Sequence, residues 1–572
     1  MWTTARALLA ALSALAVLDA NPAGAQSLQP AGWDAGMRMA EAVDRNPDPN
    51  VVEVDFEARV ATVEIAPGLK VDAWTYNGTI PGPMIRVKVG DRLIVHFTNN
   101  LPRPSTIHWH GLRVPIDMDG VPGYSQEPVQ PGGTFTYDFV VPDAGIYWYH
   151  PHVMSAAQVG FGLYGAFLVE DSTETETIGI ADDLVLVLSD IDVDDDGALL
   201  PADTGGTVGM LFGREGNRVL VNGRRLPELV ARSGAPQRWR VVNAAKSRYF
   251  KLDLGEGHVF RKIGGDGGLT EYSEDHDFIV LGAGERAGVL VTPTGEPGGE
   301  GLVRSLLHDR GYGSIFGRDF ESLFTIRFAD EPPYDPGPLP RTSREMEAYD
   351  LEGATGIDLE LTLQKDPYDQ TFAYGINHVP FWRAKPILAG LGETQVCNVT
   401  NSTAWSHPLH LHGFFFLVLD EAGEPVRPLE WKDTVDIPHE RTVRLTVRFD
   451  ERPGTWIFHC HILDHADGGL LSAVHLGLPP EEFRNLASTS IGASKREHGS
   501  LATPRLLGVS APRSMTSRRG TPLRCVLRRR LPAQPNGFRT ERSGRITNEF
   551  IFSSLQTFPA AVCSFMHNLR LD

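Results

Sequence analysis

At 572 residues, with 41% hydrophobic side chains, 59 Gly and 41 Pro, the chain is too long for one core, points to about three to four domains, and is neither disordered nor fibrous in composition. The formal charge of −19 is uneven: residues 481–572 carry 15 Lys/Arg against 6 Asp/Glu, a local +9, which leaves −28 on residues 1–480. An acidic body of that kind argues against nucleic acid as a partner and suits cations or neutral organic molecules.

Residues 1–25 hold one cation, Arg6, an apolar run from Ala7 to Leu18, and small residues at Ala23 and Ala25 before Gln26. That is the pattern of a secretory signal cleaved after Ala25, with a retained N-terminal helix as the competing reading. A periplasmic or secreted protein is expected. No later stretch reaches the ~20 apolar residues of a membrane span, and one arginine before the run does not support twin-arginine export. From Val51 onward the chain reads as short alternating segments broken by Gly, Pro and Asn, among them "KVDAWTYNG", "MIRVKVGDRLIVHFTNN" and "GIYWYHPH". Such spacing predicts antiparallel sandwiches or barrels. A first set spans residues 51–172 and a second 173–330, with "DLVLVLSDI", "RVLVNG" and "QRWRVVNAA". The acidic, proline-rich stretch 331–355 reads as a linker. A third set covers 356–480, and "PGPMIRVKVGDRLIVHFTN" and "QRWRVVNAA" play similar roles in their sets, a faint echo that suggests one repeated fold. The basic stretch 481–572 lacks sustained apolar periodicity and reads as a disordered tail, with a nucleic-acid or membrane arm, or out-of-frame translation, as alternatives.

Of four cysteines, Cys397, Cys460, Cys525 and Cys563, only two precede residue 480, so this is no disulfide framework. Cys397 reads as a small apolar strand residue. Four His-x-His pairs stand out: His108/His110 in "IHWHG", His150/His152 in "YWYHPH", His410/His412 in "HPLHLHG", and His459/His461 in "FHCH". On a strand, period two aims both members of a pair at one face. Two pairs lie in the first set and two in the third, which predicts a metal cluster where those two domains meet. His96, His258, His276, His308, His378, His439 and His475 stand alone and read as surface or core residues. The same alternation puts Cys460 on the face opposite His459 and His461. With His465 and His407 it makes a His2Cys set, which favours copper over zinc. Leu470, ten residues after Cys460 at the axial position, has no donor atom, which should raise the potential relative to a methionine-ligated site.

"HWHG", "YWYHPH", "HPLHLHG" and "HCHILDH", in that order over about residues 50–478, resemble the four copper motifs of the three-domain bacterial multicopper oxidases, the laccase-like cupredoxin family. The resemblance implies an all-β chain of three consecutive cupredoxin-like Greek-key domains holding four copper ions. It assigns type 1 copper to His407, Cys460 and His465, and type 2 to His108 and His410. The type 3 pair falls to His110, His150 and His461 on one ion and His152, His412 and His459 on the other. It further implies a small reducing substrate oxidised at type 1 copper beside His407 and His465, electrons passing through Cys460 to His459 and His461, and dioxygen reduced to water by a monomer. Asp119, in "MDGVPG", matches an acidic residue near the type 2 ion and is a candidate for orienting water or supplying protons; a turn-forming Asp before Gly is the competing reading. Many relatives place a glutamate after the second type 1 histidine, whereas this chain has Ala466, with Asp467 as a possible substitute. Phenols or aromatic amines are the expected donors. A cuprous metallo-oxidase is the alternative, weakened by the absence of methionine between Met346 and Met515. Eight paired histidines argue against a nitrite reductase, and a complete ligand set argues against a scaffold that has lost its copper.

Overall fold

The computed structural model describes residues 37–180, 182–311, 320–335, 337–365 and 371–477. The expected signal segment and the stretch 481–572, with Cys525 and Cys563, lie outside them. The regular structure of the described chain is mostly strand, arranged as six sheets that pair into three consecutive sandwiches. In the first, Leu69–Tyr76, Val51–Ala66, Arg92–Asn99 and Thr134–Val140 form one sheet in that order. Gly82–Lys88, Gly165–Glu170, Gly145–His150 and His108–His110 form the other. Six- and five-stranded sheets drawn from Asp183–Phe328 make the second, and two five-stranded sheets drawn from Thr355–Leu476 make the third. No helix among the described residues is long and apolar enough to cross a membrane.

The repeat suggested by the sequence is present at the level of hydrogen bonds. Arg92–Asn99 runs parallel to Val51–Ala66 and antiparallel to Thr134–Val140. Gln237–Asn243 runs parallel to Asp183–Ile191 and antiparallel to Arg286–Val291, and Thr394–Asn401 parallel to Thr355–Lys365 and antiparallel to Thr442–Arg448. Each of these central strands ends in a buried asparagine. The amide of Asn99 donates to the carbonyls of Arg103 and Val129, that of Asn243 to Arg248 and Leu281, and that of Asn401 to Trp405 and Ile437. Their Oδ1 atoms accept from the N–H two residues on, at Leu101, Ala245 and Thr403. A second trio, Asn77, Asn222 and Asn377, adopts left-handed φ of 53°, 49° and 51°, which asparagine tolerates better than most residues. Each is bonded back to its sandwich's first strand, through Glu57, Val187 and Glu360.

Alternation holds where a sheet faces water: in Arg92–Asn99 the side chains of Leu93, Val95 and Phe97 are buried between more exposed neighbours. Gly145–His150, Gln237–Asn243 and the last five residues of Gly454–Cys460 are instead buried on both faces. These strands lie where sandwiches meet. Ile65, Val71 and Trp148 of the first sandwich share one core with Leu220 and Val242 of the second, so the interface is a core and not a polar seam. The connecting segment is not free in solvent: Ser273 and Thr342 exchange two hydrogen bonds, and Arg344 N–H donates to Glu271.

The buried asparagines are load points for loop geometry, and one of them can be removed far from any histidine pair. Asn99→Ala removes three hydrogen bonds to loop backbone, two of them buried, and should lower unfolding free energy by about 2–4 kcal/mol. Asn100→Ala, which loses one exposed hydrogen bond to Glu57, should stay within about 0.5 kcal/mol; denaturant unfolding of both variants checks the contrast.

Candidate metal centre

The strand Gly454–Cys460 stops at Cys460, so His461 and Ile462 follow it in a bend. Of the four pairs only His108/His110 lies wholly within a strand; His152 and His412 fall just past strand ends. The facing of side chains is nevertheless as the alternation predicts. His108–His110 pairs antiparallel with Gly145–His150, and His407–Leu411 with Gly454–Cys460, which sets His410 opposite His459.

On one side, Cys460 Sγ lies 3.3 Å from His407 Nδ1 and 3.7 Å from His465 Nδ1, and the two Nδ1 atoms are 3.1 Å apart. His407 Nε2–H donates to Thr403 Oγ1 at 2.7 Å, and His465 Nε2–H to the carbonyl of Leu211 at 3.2 Å. These bonds fix the tautomers so that both Nδ1 lone pairs face the sulfur. Burial pushes the Cys460 thiol up and brings His407 down to about 3. His465 is held well below the usual imidazole range, first by burial and then by His407. Leu470 is fully buried, and its carbonyl accepts the Cys460 N–H. All three side chains have no exposure. The helix Gly206–Phe212 of the second sandwich covers them, together with Tyr374, whose ring is 4.4 Å from that of His465 and whose hydroxyl bonds Leu211 and Trp405. Met210 on that helix has its sulfur 3.4 Å from where a Cβ on Gly468 would stand.

On the other side all eight paired imidazoles converge. His152, His412 and His459 form one group, with His152 Nε2 and His412 Nε2 at 3.4 and 3.2 Å from His459 Nε2. His110, His150 and His461 form a second, with ring centroids 4.8 to 5.8 Å apart. His108 and His410, 5.8 Å apart, stack against His412 and His110 respectively, at 3.8 and 3.7 Å. Nδ1–H is tied to a carbonyl in His108 (Asp119), His150 (Pro151), His410 (Asp433) and His459 (Cys460), and to the Asp119 carboxylate in His412. Those Nε2 atoms therefore carry lone pairs. His110 is turned the other way, with Nε2 on Asp433 and Thr434. Inward nitrogens of His108, His110, His150, His410 and His461 have no hydrogen-bond partner though buried. Buried acceptors so close together repel one another unless a cation sits among them, so the donor set fits metal ions with nitrogen preference. Burial, followed by neighbouring imidazoles, keeps His150, His152, His412 and His461 well below their ordinary range. They are neutral, as ligands must be.

Asp119 lies at the cluster. It follows the turn Ile116–Met118, and its carboxylate, 1% exposed, accepts from His412 at 2.9 Å while its carbonyl accepts from His108 at 2.8 Å. Asp467 is engaged elsewhere: it accepts the N–H of Ala156 at 3.1 Å, at the start of the helix Ser155–Gly160.

The second sandwich has no paired histidine, and no motif in it points to the cluster. It is there. Arg286, fully buried, donates to both oxygens of Asp433, at 2.7 and 2.5 Å, and to the carbonyls of Ile146 and Asp266, while its backbone N–H donates to the Asp266 carboxylate at 2.9 Å. Asp433 in turn contacts His110 and His410, at 3.1 and 3.3 Å. Burial alone would raise Asp433, but Arg286 and then His110 hold it well below the carboxylate range. Gly284, φ +90°, lies so close that a Cβ would stand 2.9 Å from His461 and 3.1 Å from His110. A run such as "GAGERAG" carries no metal-ligand signature, so only the fold reveals its place.

Consecutive cupredoxin-like sandwiches whose outer members close on a sulfur site and an eight-imidazole cluster define a copper oxidase scaffold. Residues 57–174 and 356–476 match the multicopper oxidase family models. Multicopper oxidase MmcO of Mycobacterium tuberculosis is 31% identical over 474 residues, covering 77% of this chain and 90% of the relative. A laccase of Bacillus subtilis is 27% identical over 469 residues, covering 71% and 90%. The solved multicopper oxidase of Campylobacter jejuni, described as a metallo-oxidase, superposes with a TM-score of 0.66 at 26% identity, over 77% of this chain and 94% of that one. The chain belongs to the multicopper oxidase family, whose members bind four copper ions as type 1, type 2 and a type 3 pair.

Two outcomes follow for the copper-free protein. Imidazoles with depressed native pKa bind protons more readily once unfolded, so stability is present above the unfolded value near 6.5 and falls as pH drops below it, down through the folded values of about 3 for His407 and His459; urea midpoints between pH 7.5 and 4.5 should decline. Arg286→Met leaves Asp433 as an uncompensated buried charge and should cost about 3–5 kcal/mol, read from the same unfolding curves with copper content measured alongside.

Proposed function

We propose that this protein couples one-electron oxidation of a small organic donor, a phenol or aromatic amine, to the four-electron reduction of dioxygen to water. The reading rests on the tripeptide His459–Cys460–His461, whose sulfur faces one histidine pair while its two imidazoles face another cluster. His407, Cys460 and His465 would hold type 1 copper, and His108 with His410 the type 2 ion. His110, His150 and His461, and His152, His412 and His459, would hold the type 3 pair. Bound copper supplies one-electron redox chemistry and, across four ions, the electrons dioxygen needs to become water. The protein's part is geometric. Three consecutive residues give a covalent path from sulfur to cluster, and the carbonyls and carboxylates behind the imidazoles keep the metal-facing nitrogens unprotonated. Asp119, joined to both His108 and His412, orients ligands of two different ions and is the buried carboxylate best placed to relay protons there.

Electrons enter through a covered port. With Leu211 on the outer nitrogen of His465, a donor reaches the site across the helix Gly206–Phe212 and the Tyr374–Trp405 pair. A cuprous metallo-oxidase is the second reading; it draws on the Campylobacter relative and on the Met210 thioether over this port. Export through residues 1–25 completes the proposal, and the mature protein should begin at Gln26 by N-terminal sequencing.

Oxygen uptake by the fully copper-loaded enzyme is expected with a phenol panel, with Cys460→Ser reducing it by at least about a thousandfold and removing the blue chromophore. Turnover of Cu(I) exceeding that of every phenol, and falling in Met210→Leu, would select the cuprous reading instead.

A further inference from the structure

Where the three sandwiches and the connecting segment meet there is a cavity of about 480 Å³, lined by none of the histidine pairs and not by Cys460. Its walls include Arg113 from the first sandwich, Gly267 from the second, Phe415, Trp431 and Arg448 from the third, and Arg344 and Tyr349 from the connecting segment. Its size falls within the roughly 300–1,000 Å³ of small-molecule sites.

Two properties of the walls define what would fit. One part is aromatic: the rings of Tyr349 and Trp431 lie 5.0 Å apart, and Phe415 sits under the Arg113 guanidinium at 6.0 Å. The charges are unevenly satisfied. Asp143 is taken by Arg113 through two bonds of 2.6 Å, and Asp450 by Arg452 at 2.7 Å. Asp171 also has a partner. Arg344 and Arg448, by contrast, have no carboxylate within ion-pair distance among the described residues. Arg344 is half-buried, and burial pulls its guanidinium below the ordinary value, as expected of a cation short of compensation. A guanidinium fork pairs best with a planar oxyanion.

We propose that this cavity binds a planar aromatic carboxylate, its ring against Trp431 and Tyr349 and its carboxylate on Arg344 and Arg448. A phosphate-like anion would leave the aromatic wall unused, and a neutral ring would leave the two cations unpaired. Because the walls come from all three sandwiches, occupancy braces them against separation and raises thermal stability by mass action. The site also backs onto the Arg286 pair: Gly267 N–H donates to the Trp431 carbonyl at 2.8 Å, Gly267 adjoins Asp266, and Trp431 lies two residues before Asp433. The proposal does not depend on which donor the enzyme oxidises.

The test uses the copper-loaded enzyme and benzoate, which has no phenolic hydroxyl or amine to oxidise. Calorimetric titration should give saturable one-to-one binding, and the melting temperature should rise with benzoate concentration. Benzamide and acetate, which lack the charge and the ring respectively, should each bind at least about tenfold more weakly, as should benzoate to Arg344→Gln/Arg448→Gln. Unaltered circular dichroism and copper content establish that the double variant is folded. If it is not, Arg448→Gln alone, at an exposed position without a carboxylate partner, carries the test. No binding of benzoate by the native enzyme, equal binding by the folded variant, or equal binding of acetate or benzamide overturns the proposal.

Discussion

One buried ion pair holds the architecture to its purpose. Arg286 belongs to the second sandwich, yet it bonds the Ile146 carbonyl of the first and the Asp433 carboxylate of the third, with no exposure to water. A guanidinium in that position is stable only if nearly every N–H is satisfied, because desolvation of a lone charge costs several kcal/mol. Five bonds from its side chain, to Ile146, Gly284, Asp266 and twice to Asp433, meet that demand. These bonds tie the three sandwiches together and set Asp433 behind His110 and His410.

The cluster is the other side of the same constraint. Eight imidazoles buried together, several with unpartnered nitrogens, are costly for a protein without metal. Their cost is also what gives them affinity, since lone pairs already aimed at a common space need no reorganisation when ions arrive. The carbonyls of Asp119, Pro151, Asp433 and Cys460 do the aiming. Main-chain carbonyls are well suited to it because they only accept, and so leave one tautomer available.

The second sandwich acts through contacts and not through ligands. It presents Gly284 to His461 and His110, where any side chain would intrude, and it lays Leu211 across His465. The Leu211 helix is tied to the ligand-bearing helix by Arg214, whose side chain pairs with Asp464 and whose Nε–H donates to Thr204. Access to the sulfur site is thus governed by a segment with no copper motif.

Four histidine pairs, one cysteine and the order of their motifs were enough, through their resemblance to a known family, to read the family, the metal and the β architecture, and period-two alternation converts the spacing of each pair into a shared facing. The asparagine trios were equally present in the letters, as "TYNG", "LVNG" and "GINH" and as strand-ending Asn99, Asn243 and Asn401, and they mark the repeat more sharply than the hydrophobic pattern does. What tertiary structure alone decided is how the sandwiches meet: that Arg286 reaches Asp433, that Asp467 is occupied at Ala156, and that the sulfur site lies under Leu211. Those contacts join residues some 150 to 310 positions apart, and no local propensity or spacing carries a signal across such separations. Ligand identity is a property of short segments, whereas access, positioning and burial belong to interfaces that exist only once the chain has folded.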